Sequence, residues 1–130
     1  MSILEKTIFG DERGKLIAIE EKLDVPFPIK RVFCIFDVPY EQVRGEHAHF
    51  QTKQYIVALR GSCKVKLDNG KSAHTYLLNS PNIGVFQDHL IWGEMFEFTS
   101  DCVLMVLASE LYDRMDYIFN YDEFLEAMIT

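Results

Sequence analysis

The sequence predicts an all-β domain, a sandwich or a barrel, that ends in one short helix. Short runs rich in β-branched and aromatic residues follow one another, with turn signals roughly every eight to twelve residues. The run 62–67 alternates between apolar and polar residues and leads into Asp68-Asn69-Gly70, a strong hairpin signal. Strands alternating with long amphipathic helices, as a parallel fold requires, are absent.

The individual strands are predicted from apolar runs bounded by proline, glycine or polar turns. Pro26 and Pro28 separate the first run from a long second one. The segment Arg44–His49 precedes the third run. Helical spacing of apolar residues occurs only at 120–129. The predicted strands are 15–20, 29–38, 54–61, 62–67, 74–78, 83–86, 94–99 and 102–109.

The 130 residues predict a single domain spanning residues 1–130, with 48% hydrophobic and 25% charged residues, as in globular proteins. The first ten residues carry charges and no long apolar run, and no stretch is long enough to span a bilayer. The three cysteines, Cys34, Cys63 and Cys102, lie in strand-like runs and are expected to be buried free thiols of a reducing compartment. We therefore expect a cytoplasmic protein with no membrane partner.

The formal net charge of −7 argues against a nucleic-acid partner, which requires a basic face. A small anionic ligand needs only a local group of donors, and Lys30, Arg31 and Arg44 lie close to the histidine segment in the sequence. The acidic tail is predicted to be a solvated face. It contains Asp113, Asp116, Asp122, Glu123 and Glu126.

Two of the four histidines, His47 and His49, are one residue apart on an extended segment. Side chains alternate across a strand, so both imidazoles point to the same face. Three uses are open at this point: metal binding, proton transfer and packing against the barrel wall.

The spacing from His47 and His49 to Gln54 and Gly61 resembles the first motif of the cupin superfamily. That resemblance implies a double-stranded β-helix, a jelly-roll barrel. Metal-binding cupins use two histidines, a glutamate where this chain has Gln54, and a third histidine that would fall at Gly93. His89 comes four positions too early. Because an amide is a weak ligand and glycine offers none, proton transfer is favoured over metal binding.

Further motifs make the resemblance more specific, and it extends from about residue 6 to residue 124. These motifs are Lys30-Arg31-Val32, Arg44-Gly45-Glu46-His47-Ala48-His49, Gly61-Ser62-Cys63, Trp92-Gly93-Glu94-Met95, Val106-Leu107-Ala108-Ser109 and Asp116-Tyr117-Ile118. Together they resemble the nucleotide-sugar 3,4-ketoisomerases of the cupin superfamily, which act on dTDP-4-keto-6-deoxyglucose.

This resemblance implies an enzyme without metal or other cofactor, a homodimer in which an N-terminal strand crosses to the partner, and a 3-keto sugar product used for aminotransfer. It makes His47 the catalytic base, with His49 and Arg44 beside it. The chain departs from the family at two places. Several members have Trp-His-Glu-Met where this chain has Gly93, and tyrosine is common at the run corresponding to Phe33-Cys34.

The implied reaction removes the proton from C3, forms an enediol or enediolate, and returns a proton to C4, so groups that stabilise negative oxygen are needed. His47 is the expected base and His49 a proton shuttle or donor to the oxygens. The candidates for diphosphate contacts are Arg44, Arg31 and Arg13, because guanidinium matches phosphate oxygens. The alternative for each arginine is a solvated surface charge.

Gln54, Trp92 and Glu94 complete the predicted substrate-binding set. Glu94 is a candidate second acid, with a structural carboxylate as its alternative. Trp92 is one of several aromatic residues that either stack on the thymine base or belong to the core. The others are Tyr55, Tyr76, Phe86 and Phe96.

The missing side chain at Gly93 favours one base working on one face of the sugar. A proton returned to C4 from the face that lost the C3 proton gives dTDP-3-keto-6-deoxygalactose, which is the product we expect. The alternatives are the gluco epimer, a sugar-nucleotide 3,5-epimerase, a metal-dependent cupin and a sugar-binding module without activity.

Overall fold

The computed structural model describes residues 2–129, which form two five-stranded antiparallel sheets, a small hairpin and one α-helix. A 3-10 turn covers Arg114–Asp116. The elements are β1 (Ser2–Glu5), β2 (Phe9–Asp11), β3 (Gly14–Leu16), β4 (Arg31–Phe36), β5 (Arg44–His49), β6 (Gln54–Arg60), β7 (Cys63–Asp68), β8 (Ala73–Leu78), β9 (Ile83–Gln87), β10 (Trp92–Phe96), β11 (Val103–Ala108), β12 (Tyr117–Ile118) and α1 (Tyr121–Ile129).

The strand orders are β1-β9-β6-β11-β4 in one sheet and β12-β5-β10-β7-β8 in the other, and β2 pairs only with β3. Consecutive strands mostly lie in different sheets, so the chain passes back and forth across the core as in a jelly roll. The predicted all-β class with a C-terminal helix is confirmed. Within residues 2–129, no helix is long and apolar enough to cross a membrane.

The core lies between the two sheets and follows the alternation predicted for 62–67. On β7, Cys63, Val65 and Leu67 are fully buried, while Lys64 and Lys66 on the other face are not. Cys102 is buried in the same cluster as Cys63. All three cysteines are free, but Cys34 is exposed on edge strand β4, so the prediction of burial is wrong for this thiol.

The hairpin after β7 confirms the signal at Asp68-Asn69-Gly70. The amide of Gly70 donates to Asp68 Oδ1 at 2.7 Å. Gly70 has a φ of +89°, which a residue with a side chain rarely adopts. Strands β7 and β8 then pair in register from Asp68 opposite Ala73 to Cys63 opposite Leu78.

The predicted strand 15–20 ends at Leu16, and the chain from there to β4 lies irregularly over the outer face of the first sheet. In this cover, Val25 and Phe27 are buried against Tyr55, Val57 and Leu107. The segment between β3 and β4 is therefore held by the packing of its apolar side chains and not by strand pairing. Its apolar residues are of the types that also occur in strands, so their sequence does not distinguish the two cases.

Helix α1 covers the outer face of the second sheet, where Phe124 is buried with Ala48, Trp92 and Ile118. The side chain of Asn120 caps its start by accepting from the amide of Glu123 at 3.1 Å. Because Ala48 points outward beneath the helix, its neighbours on β5 must point inward. The helix therefore fixes which face carries the histidines.

Candidate active site

A cavity of about 420 Å³ opens between the two sheets at the position of the histidine segment. It is lined by residues from five strands of the barrel (β4, β5, β6, β10 and β11) and from the segment between β11 and α1. The lining residues are Phe33, Ile35, Val43, Arg44, Gly45, His47, Gln54, Met95, Val106, Tyr112, Tyr117 and Phe119. The pocket is thus mainly apolar and aromatic, with a few polar groups, as small-molecule sites usually are.

The two histidines of β5 lie side by side, as their spacing predicts. Their ring centroids are 4.9 Å apart, and the rings are nearly perpendicular at 86°. Gly45, the second residue of the strand, has a φ of +86°, and an added Cβ would come within 2.9 Å of the Gly93 carbonyl oxygen. Glycine is therefore required at this close approach of β5 to β10.

His47 has the hydrogen-bonding and charge state of a base. Its Nδ1 lies 3.0 Å from the carbonyl oxygen of Gly45. A carbonyl only accepts, so Nδ1 carries the hydrogen and Nε2 keeps its lone pair. Burial and then the positive charge of Arg44 lower the pKa of His47, and the hydrogen bond to Gly45 opposes them. The imidazole is accordingly neutral at pH 7.

His49 is more deeply buried, at 2% exposed. Burial, reinforced by His47 and Arg31 and opposed by Asp116, lowers the pKa of His49 to about 3. Its Nε2 is buried and, among the described residues, has no hydrogen-bond partner. The imidazole of His49 is therefore uncharged at pH 7 and is a neutral polar neighbour of His47.

Tyr117 is the site residue that the sequence reasoning missed. Its ring centroid is 4.9 Å from that of His47 and 4.4 Å from that of His49. The short strand β12 places it there, because Tyr117 pairs with His49 in register. Phe119 stacks on Tyr117 at 5.4 Å and 11°. The motif Asp116-Tyr117-Ile118 is one of those that carry the family resemblance. No residue close to it in the sequence indicates that Tyr117 contacts the two histidines.

Asp116 corrects the prediction that the whole acidic tail is a solvated face. Its carboxylate accepts from the amides of Gln51 and Thr52 at 2.8 and 3.1 Å, and also from the Thr52 hydroxyl. These bonds tie the turn between β5 and β6 to the segment that carries Tyr117. Its negative charge also opposes the lowering of the pKa of His49.

Two of the three predicted phosphate-binding arginines lie near the pocket. Arg44 lines it and is exposed at its rim. The Arg31 guanidinium lies over the rings of Phe33 and Tyr112, at 5.0 and 5.6 Å from their centroids. Arg13 is instead on the β2–β3 hairpin, fully exposed and paired with Asp11 at 2.6 Å, and it does not line the pocket of its own chain.

The other three predicted substrate-binding residues do not all face the pocket: one lies on the inner face of the barrel wall and two lie on the outer face. Gln54 is buried and lines the pocket. Trp92 and Glu94 lie on the outer face of β10, where Trp92 Nε1 donates to Glu94 Oε2 at 3.0 Å and Trp92 packs against Phe124. The structure does not bring either side chain to the pocket, because strand alternation turns Gly93 and Met95 inward instead.

The residues of the site do not fit a cupin metal centre. Gln54 offers a neutral amide, Gly93 offers no side chain, and Nε2 of His49 is buried. Across residues 2–129, no group of three or more His, Cys, Asp or Glu side chains is arranged to hold a metal ion.

A family model described as "FdtA: WxcM-like, C-terminal" matches residues 1–129. The chain belongs to this family. It is 51% identical over 114 residues to the TDP-4-oxo-6-deoxy-α-D-glucose-3,4-oxoisomerase of Aneurinibacillus thermoaerophilus. The match covers 88% of this chain and 82% of that protein.

Solved structures agree with this membership. A 3,4-ketoisomerase from Helicobacter canadensis is 40% identical, with a TM-score of 0.95 over 99% of this chain and 97% of that one. QdtA, a sugar 3,4-ketoisomerase from Thermoanaerobacterium thermosaccharolyticum in complex with TDP, is 41% identical, with a TM-score of 0.94 over 98% and 93% of the two chains. The 3′-monoepimerase ChmJ of Streptomyces bikiniensis, at 19% identity, shares the fold alone. The chain is thus an enzyme of the 3,4-ketoisomerase type.

Proposed function

We propose that the chain converts dTDP-4-keto-6-deoxyglucose into the 3-keto isomer, with His47 as the base. One observation carries the proposal: a neutral imidazole with a free Nε2 lone pair lines an aromatic cavity of about 420 Å³. The names of the relatives support it. The Aneurinibacillus protein is a TDP-4-oxo-6-deoxyglucose isomerase, and a histidine-to-asparagine variant of QdtA was crystallised with TDP-4-keto-6-deoxyglucose.

In the proposed reaction, Nε2 of His47 takes the proton from C3. The electrons of that C–H bond form the C3–C4 double bond, and those of the C4 carbonyl move onto O4. The imidazolium then returns a proton to C4 while the O3 proton is lost and O4 gains one, which leaves a ketone at C3 and a hydroxyl at C4. The negative charge of the enediolate requires positive or hydrogen-bonding groups directed at O3 and O4.

The proposed contacts of the substrate follow from the same pocket. Arg44 and Arg31 are assigned to the diphosphate, and Gln54, at the buried end of the cavity, to the sugar. His49 does not line the cavity, so we assign it an indirect role: its ring packs against that of His47, which faces the sugar. Trp92 and Glu94 are left out of these contacts because they lie on the other face of β10.

The proposed chemistry uses no metal and no other cofactor. The weak donor set at Gln54 and Gly93 supports this part. We further propose that the product is dTDP-3-keto-6-deoxygalactose, because Gly93 offers no second acid and one base working on one face of the sugar gives this epimer. Its ketone would be the substrate for a later amination at C3. The free cysteines and the nucleotide-sugar substrate favour a cytoplasmic location.

A homodimer is proposed from two exposed apolar areas. Phe9 and Leu16 of the hairpin are each 60% exposed, as is Phe36 on edge strand β4. In the single chain β1 pairs with β9, and an exchanged dimer would place the same strand on the β9 of the partner. The test is a disulfide between cysteines introduced at the paired positions Ile3 and Val85, in a Cys34→Ser background. In an exchanged dimer this disulfide would join two chains covalently, whereas without exchange it would form within one chain.

The test of the function is incubation with dTDP-4-keto-6-deoxyglucose in deuterated water, followed by NMR. We expect deuterium at C4 and the carbonyl at C3, with coupling constants that identify the C4 configuration. A 3,5-epimerase would leave the ketone at C4, and a binding module would give no conversion.

The variant His47→Asn provides the mechanistic control. It is expected to lower kcat by about two to four orders of magnitude, the usual contribution of a general base, with TDP binding retained. His74→Asn, at an exposed histidine on β8, should leave kcat unchanged. Full activity of His47→Asn would contradict the assignment of the base.

A further inference from the structure

The inner wall of the barrel beside His47 includes a position without a side chain. Gly93 of β10 is the direct Cα partner of His47 on β5. Side chains of directly paired residues lie on the same face of a sheet. A side chain at position 93 would therefore stand in the barrel interior, next to the imidazole of His47.

The space where a side chain of residue 93 would lie is filled by the side chain of Gln87, which comes from strand β9. An ideal Cβ built on Gly93 would lie 2.6 Å from Nε2 of Gln87 and 3.1 Å from both its Cδ and its Oε1. Gln87 is the last residue of β9 and is 4% exposed. Its Nε2 donates to the carbonyl oxygen of Ile91 at 3.0 Å, so the amide is held in this place.

Gln87 also belongs to the wall that carries the substrate pocket. It is the direct partner of Gln54 in the β6–β9 pairing, and Gln54 lines the cavity. Two amides, those of Gln54 and Gln87, thus lie next to each other on this wall, and the Gln87 amide occupies the space that a side chain on Gly93 would need.

We propose that Gln87 replaces, from β9, the inward-facing group that Gly93 lacks, and that it is a positioning residue which determines the configuration of the product. This inference rests on the proposed isomerisation. A carboxamide donates and accepts hydrogen bonds but does not ionise in the neutral range. It holds the wall beside the histidines without a proton to give to carbon, so His47 alone returns the proton and one C4 epimer forms.

The pairing of the two positions is tested by thermal unfolding of Gly93→His, Gln87→Ala and the double variant. A histidine at 93 must displace the Gln87 amide and break its bond to Ile91, so Gly93→His should lower Tm. Gln87→Ala opens the space, so the double variant should melt above Gly93→His alone, although it carries one more substitution. A double variant that melts lower, by the sum of the two single effects, would overturn the pairing.

The role in the reaction is tested with two side chains of similar length. Gln87→Met keeps the volume without the amide, and the loss of a buried hydrogen-bonding group should lower kcat by about tenfold while TDP affinity stays within about twofold. Gln87→Glu adds a titratable acid at the same place. We expect a further ionisation in its pH profile of kcat and a mixture of C4 epimers in the product. Gln42→Met, at an exposed glutamine, is the matched control.

If Gln87→Glu and Gln87→Met both gave a single epimer with the kcat and pH profile of the unaltered enzyme, the positioning role would be excluded. Failure of the unaltered enzyme to isomerise the sugar would instead refute the proposed function. The unfolding experiment does not depend on activity, so it still decides whether the two positions share one space.

Discussion

At the scale of single residues, the charge state of His47 depends on its burial and on Arg44, both of which lower its pKa. The proposed base must be neutral to accept a proton, so kcat/KM should fall only below the ordinary histidine pKa of about 6.5. Replacing Arg44 by methionine removes a positive charge and should raise the pKa of His47. The acidic limb of the profile of kcat/KM against pH should then move to higher pH.

The control for this prediction is Arg60→Met, which removes an exposed arginine at the far end of β6. It should leave the acidic limb in place. If the limb of Arg44→Met stayed put or moved to lower pH, Arg44 would not be the charge that acts on His47.

His49 predicts how the stability of the folded chain depends on pH. Its pKa is about 3 in the folded state and about 6.5 when unfolded, so between these values the unfolded chain binds more protons. The contribution of His49 to the free energy of unfolding is therefore fully present above about pH 6.5. It decreases on acidification and is smaller by about 2 kcal/mol at pH 5.

The variant His49→Gln, which does not titrate, should lose less stability between pH 7 and pH 5 than the unaltered chain. Urea unfolding at the two pH values measures the difference. The same loss in both proteins would show that acid sensitivity arises elsewhere.

At the scale of elements, the orientation of β5 depends on helix α1. Phe124 is fully buried against the outer face of β5 and β10, so Phe124→Ala should cost about 3–5 kcal/mol of unfolding free energy. It should also lower kcat, because the helix holds Ala48 outward and the histidines inward. Thermal or urea unfolding, with kcat measured well below Tm, checks both effects.

Ile129→Ala is the comparison within the same helix, since Ile129 is 85% exposed. Its unfolding free energy should change by less than about 0.5 kcal/mol. A Phe124→Ala variant as stable as this control would contradict the docking of α1 on the sheet.

Prediction of the elements succeeded where a local pattern carries the information. The alternation of 62–67 and the Asp68-Asn69-Gly70 turn gave the β7–β8 hairpin, and the apolar spacing of 120–129 gave α1. No local pattern predicts strands β1, β2 and β12, and an N-terminal strand was expected only from the family resemblance. Each has only two to four residues and depends on pairing with a distant or neighbouring strand, as Tyr117 does with His49.

At the scale of the whole molecule, the site is made where the two sheets face each other, and its donor set is too weak for a metal. We expect enzyme dialysed against a strong chelator to keep its full kcat, and divalent metal added back to leave it unchanged. Elemental analysis of protein purified without chelator gives a second measurement. Activity that is lost on chelation and restored by one metal would contradict the metal-free mechanism.

The sequence by itself determined the all-β class, the hairpin, the C-terminal helix and the adjacent imidazoles, because each depends on residues close together in the chain. Its motifs also identified the family. Only the tertiary structure decided that Trp92 and Glu94 face away from the pocket, that Asp116 ties a turn, that Tyr117 contacts both histidines and that Gln87 fills the space at Gly93. These contacts join residues from different strands, and which side chains meet there depends on how the strands pair and on which face helix α1 covers.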